Sequence, residues 1–352
     1  MKTKERTKMN LQKLIVRMLL KLPDGILVRM SGSKPLAIDG RILDARAQFL
    51  AAQGARQPSI VTLDPATARS ATSEGLKLLD ADPRPDVEVR ALEVPGPGGP
   101  LDARLYLPVN MSRPLPGLVF FHFGGCVIGD LDTCDTFCRM IAALAGCSVL
   151  NVAYRLAPEH KFPAQVDDAV AAFRWAQENA ASLHMIPGRI GVGGDSAGGY
   201  LSAVVAQEAK RRGFASPALQ LLIYPVTDWG WKGGSMDSCA EVYPLTREIM
   251  DWFGAHYLNA PSEAEDVRVS PMKEPDLSGL PPAIVVTSGF DPLRDQGAAY
   301  AEKLKSAGVV VAYRCEDSLP HAFTAMTGVI PAAREACERI ARDVGTVLGG
   351  SA

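Results

Sequence analysis

The chain has 352 residues, 47% of them hydrophobic and 22% charged, the composition of a soluble globular protein long enough for one large α/β domain or two small ones. Its 37 Lys and Arg against 39 Asp and Glu leave a net charge of −2, which points neither to nucleic acid nor to a strongly charged partner. Seven cysteines, an odd number with no CxxC, argue against a disulfide framework and for reduced thiols in the cytoplasm. Cys134 and Cys138 stand one helical turn apart but have no nearby histidine, so they read as buried thiols rather than metal ligands.

Lys2, Lys4, Arg6 and Lys8 precede an apolar run over 11–20 that superficially resembles a signal peptide. Lys13, Arg17 and Lys21 interrupt the run, and no small-residue cleavage site follows. Leu11, Leu14, Ile15, Met18 and Leu19 recur at helical spacing, with the basic residues on another face. The expectation is an amphipathic helix packed on the protein's own core, with contact at a membrane surface as the second reading. No uncharged apolar run approaches the roughly 18 residues of an integral membrane span.

Helical patterns follow at 44–53 and 64–79, so residues 1–84 read as a segment of helices and loops. From residue 85 the texture changes. Residues 87–94 and 101–107 alternate about a Pro- and Gly-rich turn, an antiparallel hairpin. Apolar strands are then expected at 117–121, 147–153, 189–193, 219–224, 283–288 and 309–314. Helices are expected at 132–145, 164–181, 197–212, 294–307 and 331–348. Short apolar strands linked by helices imply an α/β fold, a doubly wound and mostly parallel sheet flanked by helices, over 85–352. A stretch at about 228–269 interrupts the rhythm with Trp229, Trp231, paired glycines and a helical pattern at 246–257. It reads as an insertion in the strand–helix series.

The strongest signal is Gly194-Asp195-Ser196-Ala197-Gly198, between the strand at 189–193 and the helix at 197–212. A serine on a strand-to-helix turn, with glycine two residues to each side, is a nucleophile elbow. The turn is so sharp that side chains at Gly194 and Gly198 would collide with neighbouring backbone. The helix beyond it aims its N–H groups and positive dipole end at the place where an oxyanion forms. A serine hydroxyl needs a base to take its proton and a carboxylate to orient that base. In this fold the chain order is Ser, acid, His. Of five histidines only His256 and His321 follow Ser196, and His256 lies in the helical pattern of the insertion. His321, on the loop after the last strand, is the candidate base. Asp291, directly after the strand at 283–288, is the candidate acid, and Asp295 reads as part of the next helix. Residues 118–126, an apolar strand running into His122-Phe123-Gly124-Gly125-Cys126, supply the loop from which oxyanion donors come. His122 reads as a residue that fixes this loop by hydrogen bonds.

Together with Tyr154-Arg155-Leu156-Ala157-Pro158-Glu159-His160, Tyr224-Pro225, Asp291-Pro292-Leu293-Arg294-Asp295 and Pro320-His321, these motifs resemble the hormone-sensitive-lipase-like bacterial esterases (family IV, GDSAG type) of the α/β-hydrolase superfamily. The resemblance implies Ser196 as nucleophile, Asp291 as acid and His321 as base, with oxyanion donors from Gly124, Gly125 and Ala197. It also implies a helical cap built from the N-terminus and the 228–269 insertion, often a homodimer, and no cofactor or metal. The substrate would be a small-molecule ester with a small to medium acyl chain. The sequence departs from the family pattern at Phe123, where a glycine is usual, at Cys126, where a bulky apolar residue is usual, and at Cys134, commonly histidine. Phe123, Cys126 and Asp195 are the candidate substrate-pocket residues. The same machinery would serve a natural-product deacetylase or amidase. A non-catalytic ligand-binding relative is the reading from another class, and retention of all three triad residues counts against it.

Overall fold

The structure, a computed structural model, describes residues 2–349, with the backbone alone over 2–10. The N-terminal part consists of α1 (Lys2–Leu19), α2 (Asp24–Met30), a two-residue ladder of β1 (Ala37–Ile38) and β2 (Arg41–Ile42), α3 (Ala45–Gly54) and α4 (Pro65–Leu79). Then come β3 (Val87–Gly96), β4 (Gly99–Pro108), β5 (Leu115–Phe121), α5 (Asp135–Ala145), β6 (Ser148–Val152), α6 (Ala164–Glu178), β7 (Met185–Asp195), α7 (Ala197–Arg212) and β8 (Gln220–Ile223). The chain ends with α8 (Ser235–Ser238), α9 (Arg247–Tyr257), β9 (Ala283–Phe290), α10 (Arg294–Ser306), β10 (Val311–Pro320) and α11 (Pro331–Gly349).

The eight strands β3 to β10 form one sheet in the order β10-β9-β8-β7-β5-β6-β4-β3. All neighbours from β6 to β10 run parallel, and the β3–β4 hairpin is added antiparallel at the β6 edge. Parallel strands covered on both faces need apolar side chains on both, and β6, β8 and β9 are buried along their whole length. Alternate residues of β5 divide between the layers. Leu118 and Phe120 pack with α5 and α11, whereas Val119 and Phe121 pack with α6 and α7. The strand order reverses at β5, whose two neighbours β6 and β7 both follow it in sequence. A crevice outside the carboxyl ends of β5 and β7 is where a doubly wound sheet binds its ligand.

Each strand and helix expected from the sequence is present, with differences at the ends. Strand β10 runs on to Pro320 because it is an edge strand whose polar residues Arg314, Glu316 and Asp317 pair with surface charges, which hides its β pattern.

The N-terminal helix departs from expectation in its roll. Lys13 and Arg17 face the body, bound to Asp82 at 3.2 and 2.7 Å. Arg17 also donates to the Asp80 carbonyl. Leu11, Leu14, Ile15 and Met18 therefore point outward and are 57, 54, 56 and 63% exposed. Among the described residues of this segment, Val16, Leu19 and Leu20 meet the core. The acidic turn after α4 captures the cationic face, so four of the five apolar residues expected inside lie outside and Leu19 alone of them meets the core.

Farther along, the chain folds over the carboxyl ends of the strands. The Asp44 N–H, at the start of α3, donates to Ser318 O at 2.9 Å, and Arg41 pairs with Asp317. On α4, Arg69 donates to the carbonyls of Val127 and Ala157 and binds Glu159. Thr246 caps α9 by accepting from Ile249 N, and Ile249, Phe253 and Tyr257 form its buried face. Among the described residues no helix is long and apolar enough to cross a membrane.

Candidate active site

Ser196 lies between the last residue of β7 and the first of α7 with φ 54° and ψ −114°, a conformation sterically costly for any residue with a side chain. The fold holds it there. Ser196 N–H donates to Ile223 O at 2.8 Å, and the Ser196 carbonyl accepts from Tyr200 N. A side chain at Gly194 would strike the backbone of Gly198 and Phe121, and one at Gly198 would strike Phe121 and His122. Both glycines are thus required by close approach.

Strand β9 delivers Asp291 immediately after Phe290, and Asp291 Oδ1 accepts from Leu293 N at 2.8 Å. Strand β10 delivers His321, followed by Ala322 in the left-handed region (φ 59°), which turns the chain away. His321 Nδ1 lies 2.7 Å from Asp291 Oδ2, and His321 Nε2 lies 2.9 Å from Ser196 Oγ. With an acceptor-only carboxylate on Nδ1 that nitrogen carries the proton, which leaves Nε2 free to accept from the serine. Ser196 is 5% exposed, and Asp291 is wholly buried. A carboxylate shut away from water has full strength in orienting the imidazole. Asp295 lies in α10, bound to Ser235 N and Arg294, and takes no part. His256 lies on α9 against Trp252.

The loop after β5 turns back on itself. Gly124, Gly125 and Cys126 have φ of 125°, 59° and 64°, while Phe123 is absent from the left-handed region. Replacing the usual glycine by Phe123 thus brings no backbone strain; the strained side-chain-bearing residue is Cys126. A Cβ at Gly125 would enter the ring of Phe253 on α9, so the insertion bears directly on this loop. Among the described residues the N–H groups of Gly124, Gly125 and Ala197 have no acceptor. His122 Nδ1 bonds Phe123 O at 2.7 Å, and its ring stacks on Tyr154, whose hydroxyl donates to His122 O. Burial holds the His122 ring below its ordinary pKa, so it stays neutral and structural.

The candidate substrate-pocket residues fare differently. Phe123 is 6% exposed, whereas Cys126 and Asp195 have no exposed surface. Cys126 clusters with Tyr154, Tyr200 and Tyr257 beneath the loop. Asp195 turns inward, accepting from Thr324 Oγ1 at 2.7 Å and Tyr224 OH at 3.0 Å, with Cys134 Sγ at 3.7 Å. Burial pushes its carboxyl up to about 6. It does not line a pocket. The residue preceding an elbow nucleophile ends its strand, and here that position faces the layer beneath. Through Tyr224, whose ring centre is 4.6 Å from that of His321, Asp195 braces the His321 ring from below. Thr324 and Phe253 were not singled out by sequence. A threonine three residues after the histidine carries no signal, but the 249, 253, 257 spacing does mark a helix face that must pack on something.

A cavity of about 490 Å³ lies away from this site, lined by residues that include Lys13, Lys77, Arg104, Asp132, Asp135 and Arg139. Lys77, Arg104 and Arg139 pair with Asp132 and Asp135 there, and none of Ser196, His321 and Asp291 lines it.

An elbow serine, a histidine and an acid from successive strand ends, and donors on the β5 loop define an α/β-hydrolase. Residues 118–325 match the family model described as alpha/beta hydrolase fold. The chain is 41% identical over 302 residues to the carboxylic ester hydrolase LipN of Mycobacterium tuberculosis, covering 84% of this chain and 80% of that one. To the ethyl acetate hydrolase of Pseudomonas putida it is 39% identical over 241 residues, covering 68% and 76%. The solved structure of an ester hydrolase from the Lake Arreo metagenome superposes with a TM-score of 0.81 at 39% identity, covering 85% of this chain and 96% of that one. The chain belongs to the hormone-sensitive-lipase-like family of bacterial esterases within the α/β-hydrolases.

Proposed function

We propose that the chain is a carboxylic ester hydrolase for small to medium acyl esters. Ser196 Oγ attacks the ester carbonyl carbon while His321 Nε2 takes its proton, and Asp291 holds the imidazolium in place. The carbonyl oxygen becomes an oxyanion facing the N–H groups of Gly124, Gly125 and Ala197. His321 returns the proton to the departing alkoxide, leaving an acyl-serine. Water then gives its proton to His321 and its oxygen to the acyl carbon, and the acid leaves as Ser196 regains its proton. The steps balance with water as the only co-reactant and need no cofactor.

The observation that carries this reading is the hydrogen-bonded series from Asp291 through His321 to Ser196, at 2.7 and 2.9 Å, beside three N–H groups without an acceptor. The small acyl range is supported by the near-complete burial of Ser196 and by Phe253 closing over Gly125. The name of the Pseudomonas relative, an ethyl acetate hydrolase, agrees with it. Residues 1–84 and the 228–269 insertion act as the cap, supported by the Arg69, Asp44 and Phe253 contacts over the strand ends. A cytoplasmic location is supported by seven free thiols. The test is a p-nitrophenyl ester series from acetate to decanoate on the wild type and on Ser196→Ala. Hydrolysis highest on the short chains and abolished in the variant is expected; equal rates in both would refute the reading.

A further inference from the structure

Among the described residues thirteen large hydrophobic side chains are exposed, and six of them fall between residues 11 and 30. Four form a continuous stripe on α1, with Leu11, Leu14, Ile15 and Met18 at i, i+3, i+4 and i+7; Ile26 and Met30 on α2 are the other two. The remaining seven are scattered along the chain, as solitary surface hydrophobics usually are. The roll of α1 is not free to hide the stripe, because Lys13 and Arg17 are tied to Asp82 and the Asp80 carbonyl on the opposite side.

Charge says what this stripe meets. Residues 1–34 carry nine Lys and Arg against Glu5 and Asp24, a net charge of +7, while residues 35–352 carry 28 against 37, a net charge of −9. A second copy docking through the same stripe would bring two such basic segments together. An anionic surface complements this end and repels the rest of the molecule, which fixes the orientation of docking. The helix carries too many charges to span a bilayer. A basic helix with one apolar face lies in the plane of the headgroups instead.

We propose that α1 docks the protein, by its exposed apolar stripe and the basic sequence around it, onto the surface of an anionic lipid bilayer. The proposal is independent of the ester-hydrolysis reading. It would hold for a protein of the same shape with any activity.

The test is flotation of the full chain with vesicles of phosphatidylcholine alone or mixed equally with phosphatidylglycerol, at low and high salt. Binding about tenfold or more tighter to the anionic vesicles, and lost at high salt, is expected. The double substitution Leu14→Ser/Ile15→Ser should weaken that binding by about tenfold or more and leave the thermal unfolding midpoint unchanged, because both side chains already face water. Replacing Lys2, Lys4, Arg6 and Lys8 by Gln keeps the stripe and should abolish the preference for anionic lipid. This second variant decides the matter if the first does not fold. Absence of wild-type binding, or undiminished anionic binding by a folded variant of either kind, overturns the proposal. So does a wild-type dimer that the stripe substitution converts to monomer in sedimentation velocity, because the stripe then belongs to a second copy.

Discussion

Around Ser196 the chain is held mainly by its own backbone. The serine N–H is bound to Ile223 O, parallel ladders tie β7 to β5 and β8, and Gly194 and Gly198 permit contacts that no side chain would allow. The segments over it are held largely by side chains. Arg69 grips Val127, Ala157 and Glu159, Arg41 pairs with Asp317, and Arg294 pairs with Asp39. Buried ladders resist local opening, whereas solvent-accessible ion pairs contribute about 0–1 kcal/mol each. On the proposed reading, the body keeps the reacting atoms in register and the cover yields to admit substrate. Substitutions in the body should change turnover on every ester alike; those in the cover should change which ester is preferred.

The largest effects belong to the body. Ser196→Ala and His321→Ala should each lower kcat roughly 10³-fold or more, with little further loss in the double variant, because the two act as one unit. Asp291→Asn should be comparably severe and Asp295→Asn mild, measured as kcat/KM on a short ester. The reverse ranking would break the assignment of the acid.

Beneath the site, Asp195 offers a test read in stability. Burial raises its folded pKa to about 6, above the ordinary carboxylate value near 4. The folded state therefore binds that proton more tightly than the unfolded one. Its charge costs stability above pH ~6, and the cost disappears as the pH falls below ~4. Asp195→Asn, which keeps an acceptor for Thr324 and Tyr224, should stabilise the protein by about 2 kcal/mol at pH 8 and hardly at all at pH 4. Denaturant titrations at the two pH values check this. An equal effect at both would mean that Asp195 acts through packing and not charge.

In the cover, Arg69→Ala should reduce kcat/KM by up to about tenfold, unequally across the acyl series, by loosening the carbonyls beside the oxyanion loop, and Arg69→Lys should recover little, lacking the planar fork. Phe253→Ala should have the smallest effect on overall rate yet move the preferred acyl chain upward, at about 1–3 kcal/mol per methylene admitted. A uniform loss on all chain lengths would place Phe253 with the body instead.

How much was legible in the sequence follows the same division. The bounds of α7 agree with expectation because its signals are local: the elbow at one end and Gly213, left-handed at φ 68°, at the other. Asp291 could be located because it directly follows the plain apolar run of β9, and His321 because, of the two histidines after Ser196, His256 lies in a helical pattern. The roll of α1 was hidden, since periodicity defines two faces but not which is inward, and the choice was made by Asp80 and Asp82 some sixty residues away. The path of the Phe123–Cys126 loop was hidden for a similar reason. It is shaped by Phe253 and Tyr257, which arrive from the insertion more than a hundred residues later. The inward turn of Asp195 depends on Tyr224 and Thr324, and nothing in their spacing announces it.

The central claim is that the strained Ser196 is the nucleophile and His321 its base. Covalent labelling by a p-nitrophenyl alkylphosphonate, followed by peptide mass spectrometry, tests it most directly. The phosphorus should be attacked by Ser196 Oγ with release of p-nitrophenolate, giving one adduct per chain, on the peptide that contains Ser196, in step with loss of esterase activity. His321→Ala should label far more slowly at the same residue. A stoichiometric adduct on any other residue, or full activity retained in a protein labelled at Ser196, would contradict the account.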